Sequence, residues 1–362
     1  MFNARFGLVA ASLLGAGVAC AQESSSTQET AGADPVAGAR EGLGEELSVV
    51  GELGRESWMI SPHLRSDLAL RFLEHIPELP EPEARTFWRN REKRTAFTPE
   101  QYEALPESER EGLTSREFPP SFFYNTAYGS PLVYARVLDV AARHGVDSLS
   151  GKRVLDFGYG SIGQLRLMAL MGADAHGVDV ETALAALYSQ LGDTGPLGSG
   201  SVTLHHGRWP AEREIVEAIG GGYDLITSKN TLKAGYVHPA READPQQLVV
   251  LGVDDATFLR AVHDALKPGG LFVIYNICPP QNPAPGTKGA TGDTTYVPWA
   301  DGWSPFSEAQ FGAAGLEVLA FDVRDEAALH PIFLALGYDD GKGIQALEAS
   351  IFVWYTVVRR AD

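Results

Sequence analysis

One stretch of this chain limits its fold more than any other: Val154-Leu155-Asp156-Phe157-Gly158-Tyr159-Gly160-Ser161-Ile162-Gly163. An apolar, strand-like run passes directly into a Gly-x-Gly-x-x-Gly turn, and an apolar, helix-like run leaves it. Glycines at such a turn adopt positive φ and let the backbone approach a ligand. The stretch therefore predicts the first strand, turn and helix of a parallel βαβ unit, with a binding crevice at the carboxyl end of the strand.

The chain beyond it agrees. After Gly145, short β-branched or apolar runs alternate with helical ones, the pattern of a doubly wound, mostly parallel α/β sheet. Strands are predicted at Arg153–Phe157, Ala175–Asp179, Val202–His206, Tyr223–Ser228, Gly270–Asn276, Leu316–Phe321 and Ile351–Arg359. Helices are predicted near Leu132–His144, Ile162–Met171, Thr182–Leu191, Ala211–Ile219 and Asp254–Leu266, with a helical excursion ending near Ser350. The main α/β domain is placed at residues 146–362.

Three parts precede it. Residues 1–21 carry Arg5, the apolar run Phe6 to Val18 and the small-x-small site Ala19-Cys20-Ala21, which together predict an export signal too short to span a bilayer. Two processings fit: cleavage by signal peptidase, or lipidation of Cys20 as a membrane tether. A Ser/Gln/Glu-rich stretch follows Cys20, and Gly17 stands where lipoprotein signals usually carry leucine. Residues 22–44 hold almost no large apolar side chain and predict a flexible tether. Residues 45–145 predict a helical cap on the substrate side, with a start at Ser61-Pro62 and a Thr98/Gln101 capping box. The cap reaches the main domain through Phe122, Phe123, Tyr124 and Tyr128, which either line an acceptor pocket or form the seam between cap and core.

A formal charge of −18 opposes any phosphate backbone, so nucleic acid is excluded and a small-molecule substrate is expected. Cys20 and Cys278 are too few for a disulfide framework or a multi-cysteine zinc site. His205 and His206 are adjacent on a predicted strand, point to opposite faces and cannot jointly bind a metal, so none is expected.

Asp179 ends the second predicted strand and is placed to accept hydrogen bonds from ribose hydroxyls. Asp156, two residues before the first glycine, repels a pyrophosphate and attracts an ammonium, which favours an amino-acid nucleoside over a dinucleotide. These residues, with Leu266-Lys267-Pro268-Gly269-Gly270 before the fifth strand, resemble in order and spacing the motifs of class I S-adenosylmethionine-dependent methyltransferases. The resemblance covers residues 150 to 360. It implies a Rossmann-like, seven-stranded sheet of order 3-2-1-4-5-7-6 with an antiparallel seventh strand, and S-adenosyl-L-methionine as cofactor. It further implies a cofactor site made of Asp156, Gly158, Tyr159, Gly160, Gly163, Asp179, Gly207, Arg208, Trp209 and Ser228. Where the family often has Gly-Asp against the adenine, this chain has Gly207-Arg208-Trp209; Trp209 either stacks on adenine or packs on the following helix. The Asn-Pro-Pro-aromatic signature of methyltransferases acting on amino groups of DNA or glutamine is absent after the fourth strand.

The implied activity is in-line methyl transfer to a small molecule, which needs positioning and, for a protonated nucleophile, a base. Candidates beyond the fourth strand are Lys229, Asn230, Tyr236 and His238. His238 has a suitable unperturbed pKa for a general base, whereas Lys229, protonated unless desolvated, suits orienting an anionic substrate. The connection Cys278 to Pro305, with Tyr296, Trp299 and Trp303, reads either as a substrate-covering loop or as a surface loop anchored by its aromatics. Export stands in tension with a cytoplasmic cofactor, and a non-catalytic, nucleoside-binding exported domain is the alternative reading. A nicotinamide-dependent oxidoreductase is disfavoured by Asp156.

Overall fold

The structure, a computed structural model, describes residues 47–90, 92–281 and 296–361. The expected export signal, Cys20, the tether and residues 282–295 of the long connection lie outside the described residues. The strands in chain order are β1 (Arg85–Asn90), β2 (Thr95–Phe97), β3 (Thr114–Phe118), β4 (Arg153–Phe157), β5 (Asp174–Asp179), β6 (Gly195–Leu197), β7 (Gly200–His206), β8 (Tyr223–Lys229), β9 (Leu266–Cys278), β10 (Leu316–Arg324) and β11 (Phe352–Arg360).

β4 to β11 form one eight-stranded sheet in the order β10-β11-β9-β8-β4-β5-β7-β6. The pairs β4/β5, β4/β8, β5/β7 and β8/β9 are parallel, while β11 runs antiparallel to both β9 and β10. Val154 and Leu155 of β4, Leu225 and Ile226 of β8, and Phe272 to Ile274 of β9 are all buried, as expected of strands covered on both faces. The sheet is one strand wider than the seven expected, because β6 folds back antiparallel on β7. β6 is three residues long and centred on Pro196, which an edge strand tolerates because one side of it donates no ladder hydrogen bond. So short a segment has no periodicity to read.

The cap also differs from the helical expectation. Helices Val49–Ile60, Asp67–Glu74 and Tyr134–Arg143 are present, but β1 to β3 form a separate antiparallel sheet of order β2-β1-β3. Phe87 stacks on Phe118 at 4.4 Å toward the core, and Trp88, next along the strand, stacks on Tyr102 at 4.6 Å. Flanking charges hide this alternation in the sequence.

Cap and sheet share a core. One continuous apolar cluster runs from Val50 and Leu53 through Val137 and Leu138 to Leu225, Val273 and Val357. A buried ionic cluster crosses the same boundary: Arg136 donates from Nε and Nη2 to Asp325, each at 2.7 Å, and also contacts Asp139. Tyr275 donates to Asp325 at 2.8 Å, and Asp139 accepts from the Ser66 amide at 2.7 Å. No helix among the described residues is long and apolar enough to cross a membrane.

Candidate functional site

β4 lies between β5 and β8. The helix after β4, Gly163–Leu170, buries into the core on one face of the sheet, and the helix Asp255–Ala265, between β8 and β9, buries into that on the other. The carboxyl ends of these strands therefore border the kind of switch point at which open α/β sheets bind ligands.

The glycine turn stands there. Gly158 and Gly160 have φ of 73° and 58°, values that side chains rarely adopt. The Gly160 amide donates to Asp179 Oδ2 at 3.3 Å, and Asp179 Oδ1 accepts from the Glu181 amide at 2.9 Å. Burial pushes the Asp179 carboxyl up to about 6. Tyr159 is buried with its ring 6.2 Å from Tyr188 and 6.3 Å from His206, and its hydroxyl has no hydrogen-bond partner among the described residues. Asp179, Tyr159 and Gly160 are thus brought together.

Asp156 is engaged inside the protein. Its wholly buried carboxylate accepts from the Tyr134 hydroxyl at 2.6 Å, Gln164 Nε2 at 2.9 Å and the Thr227 hydroxyl at 2.8 Å. Burial raises its pKa even so. The ammonium that feels its charge belongs to the protein: Lys229 is buried, and desolvation pushes it down to about 8 while Asp156 pulls it back. Lys229 Nζ donates to the Tyr128 carbonyl at 3.1 Å and lies 5.5 Å from the Tyr134 ring centre.

The space left by the missing side chains is taken by the chain itself. A Cβ on Gly158 would overlap Thr231, and one on Gly160 would come within 2.6 Å of Tyr128. At Gly163 it would meet Pro131 and Tyr124, and at Gly207 it would meet Glu212 and Ile215, so these two glycines admit neighbouring side chains. Residues 124–131 accordingly lie on the turn: the Thr126 hydroxyl donates to the Gly160 carbonyl at 2.6 Å, and the Ser161 hydroxyl to the Tyr124 carbonyl at 2.8 Å.

The remaining candidates separate. Trp209 is buried against Phe157 and Phe258, with ring centres at 6.1 and 5.8 Å, so packing and not adenine stacking occupies it. Arg208 Nε and the Ser228 hydroxyl are buried without a partner among the described residues. Asn230, at φ 64°, accepts from the Ile277 amide with its side-chain oxygen at 2.7 Å and donates its backbone amide to the Tyr275 carbonyl at 3.0 Å, which ties the end of β8 to β9. Burial drives the Tyr236 phenol well above its ordinary range, and the Lys233 ammonium lies 5.5 Å from its ring centre. His238 is half-exposed, its Nε2 3.0 Å from both carboxylate oxygens of Asp255, and no hydrogen bond joins it to the glycine turn. Residues missed in the sequence are Thr231, Glu181, Tyr134, Gln164 and Thr227; only Glu181, a second acid two positions after Asp179, left a local signal.

No family model matches this sequence, and no curated protein matches it. Many solved structures similar to the chain are S-adenosylmethionine-dependent methyltransferases. One, from Mesorhizobium loti, is 19% identical over 61% of this chain and 96% of its own, with a TM-score of 0.35. Another, the geranyl diphosphate C-methyltransferase of Streptomyces coelicolor, whose structure holds S-adenosyl-L-homocysteine, is 12% identical over 64% of this chain and 80% of its own, with a TM-score of 0.35.

Proposed function

We propose that the protein binds S-adenosyl-L-methionine and transfers its methyl group to a small molecule. The observation that carries this reading is the bond between Asp179 and the Gly160 amide, which joins the acid ending β5 to the positive-φ turn ending β4 at the switch point beside β8. The order β7-β5-β4-β8-β9-β11-β10, with β11 antiparallel, supports it, since it follows the 3-2-1-4-5-7-6 pattern implied by the sequence resemblance, with β6 added at the edge.

The residues present fit the cofactor. The Asp179 carboxylate and the Tyr159 hydroxyl, unpartnered among the described residues, suit ribose hydroxyls, and the positive-φ turn at Gly160 suits close approach by the rest of the nucleoside once Tyr128 is displaced from it. When bound, the group supplies an electrophilic methyl on a sulfonium. The chain's part is then positioning: Asp179 orients the ribose, and Lys229, buried at the end of β8, fixes an anionic group. On the strength of residues 1–21 we place the protein outside the cytoplasm, tethered to a membrane where Cys20 is lipidated. Calorimetry with S-adenosylhomocysteine at millimolar concentration should give heat and a raised melting temperature; the absence of both removes the reading.

A further inference from the structure

Several contacts hold residues 126–129 down on the glycine turn. The Tyr128 side chain covers Gly160, its hydroxyl donates to Glu181 at 3.1 Å, and its carbonyl accepts from the Lys229 ammonium at 3.1 Å. Thr126 adds its bond to the Gly160 carbonyl. The backbone that a nucleoside would approach is therefore approached in this structure by Tyr128.

Lys229 is the unusual member. A buried ammonium is costly unless its protons are accepted, and it has three to donate. Among the described residues its hydrogen-bond acceptor is the neutral Tyr128 carbonyl. The nearby Asp156 carboxylate is already engaged by Tyr134, Gln164 and Thr227. Gly129 borders the ammonium, with the position of a Cβ 3.5 Å from Nζ, so at that position the covering turn presents backbone alone.

We propose that Lys229 is the seat for a carboxylate at the amino-acid end of the ligand, and that the Tyr128 carbonyl holds this seat until the ligand arrives. Binding then exchanges one acceptor for the other and lifts the Thr126–Gly129 turn off Gly160. The inference rests on the cofactor reading above and adds a charge preference and an order of events to it. A carboxylate is a stronger acceptor for an ammonium than a neutral carbonyl, so the exchange favours the open state. The same cation disfavours a ligand that ends only in an ammonium.

The test titrates S-adenosylhomocysteine and its decarboxylated analogue, which keeps the amine, into the wild-type chain, Lys229→Met and Tyr128→Ala, and follows amide hydrogen exchange over residues 124–131 without ligand. The wild type should prefer S-adenosylhomocysteine by about tenfold or more, the size of one charge-assisted hydrogen bond. Lys229→Met should lose that preference and exchange faster over 124–131, and Tyr128→Ala should bind roughly tenfold faster because a larger share of it is open. Equal wild-type affinity for the two ligands, or a preference that survives in Lys229→Met, overturns the proposal and leaves the cofactor reading standing. Absence of binding by every protein overturns both. If Lys229→Met does not fold, the wild-type preference and the Tyr128→Ala rate decide.

Discussion

The Tyr134 hydroxyl donates to the Asp156 carboxylate at 2.6 Å, deep inside the protein. This bond ties the helix that precedes the sheet to the strand that carries the glycine turn. With Gln164 and Thr227 as further donors, the acid of the fingerprint has become a joint between four elements.

Replacing that joint should cost stability. Asp156→Ala takes an acceptor from three buried donors, of which Gln164 keeps the Tyr159 carbonyl at 2.7 Å, and should lower the unfolding free energy by about 3 to 5 kcal/mol. Asp156→Asn, which keeps one acceptor oxygen and sheds the buried charge, should cost less. Urea unfolding of both variants checks the order; a loss under about 1 kcal/mol in the alanine variant means that the donors find other partners.

Asp179 should act on binding. Asp179→Ala is expected to weaken S-adenosylhomocysteine by about 1 to 3 kcal/mol, the cost of leaving buried hydroxyls unpaired. Because ribose hydroxyls donate to the ionised carboxylate, and burial holds this carboxyl at about 6, affinity should be full above pH 6 and fall as the pH drops through it. Calorimetry between pH 5 and 8 tests this. A flat profile in the wild type places the ribose elsewhere.

How much of this was legible follows from whether a sequence pattern links the residues concerned. The boundaries of β4 were readable to the residue, because an apolar run meets a glycine turn at one point. That the turn at Gly160 and the acid Asp179 share one crevice was readable although they are 19 positions apart, because the fingerprint sets a glycine turn after one strand and an acid at the end of the next. Tyr134 and Asp156 are 22 positions apart, and Tyr128 and Lys229 are 101 apart, and no periodicity links either pair. The space at Gly158 and Gly160 reads in the sequence as room for a ligand; only the fold reveals that Thr231 and Tyr128 come to fill it. β1 to β3 were illegible because their stabilising pairs, Phe87 with Phe118 and Trp88 with Tyr102, join residues from different segments.

The two histidines at the sheet's flank make a separate, pH-dependent prediction. His176 Nδ1 and His205 Nε2 are 3.0 Å apart with their rings stacked, and burial, then the neighbouring His176, pushes His205 down to about 4. The unfolded chain binds the proton more readily, so this group's stabilisation is complete above the unfolded value of 6.5 and is lost as pH falls toward 4. His205→Phe should flatten that dependence. Unfolding at pH 7, 6 and 5 checks it, and equal slopes in wild type and variant would falsify the assignment.

The cap should prove inseparable from the sheet. A chain beginning at Leu149 loses Tyr134 from Asp156 and Arg136 from Asp325, leaving two buried carboxylates short of donors. Stranding one buried charge costs about 3 to 5 kcal/mol, against a total stability of roughly 5 to 15 kcal/mol for a whole domain. The same cut removes Val137, Leu138 and Ala141, together with Leu68, Phe72 and Phe123, from the continuous core that the sheet shares. Either loss is serious, and together they exceed what a domain of ordinary stability can absorb. The shortened chain should be insoluble or lack a cooperative transition, as judged by its soluble yield and near-ultraviolet circular dichroism. A soluble, cooperatively folding chain from Leu149 that binds S-adenosylhomocysteine as the full chain does would show that residues 47–148 are an accessory, and that the turn at 126–129 covers a site complete without it.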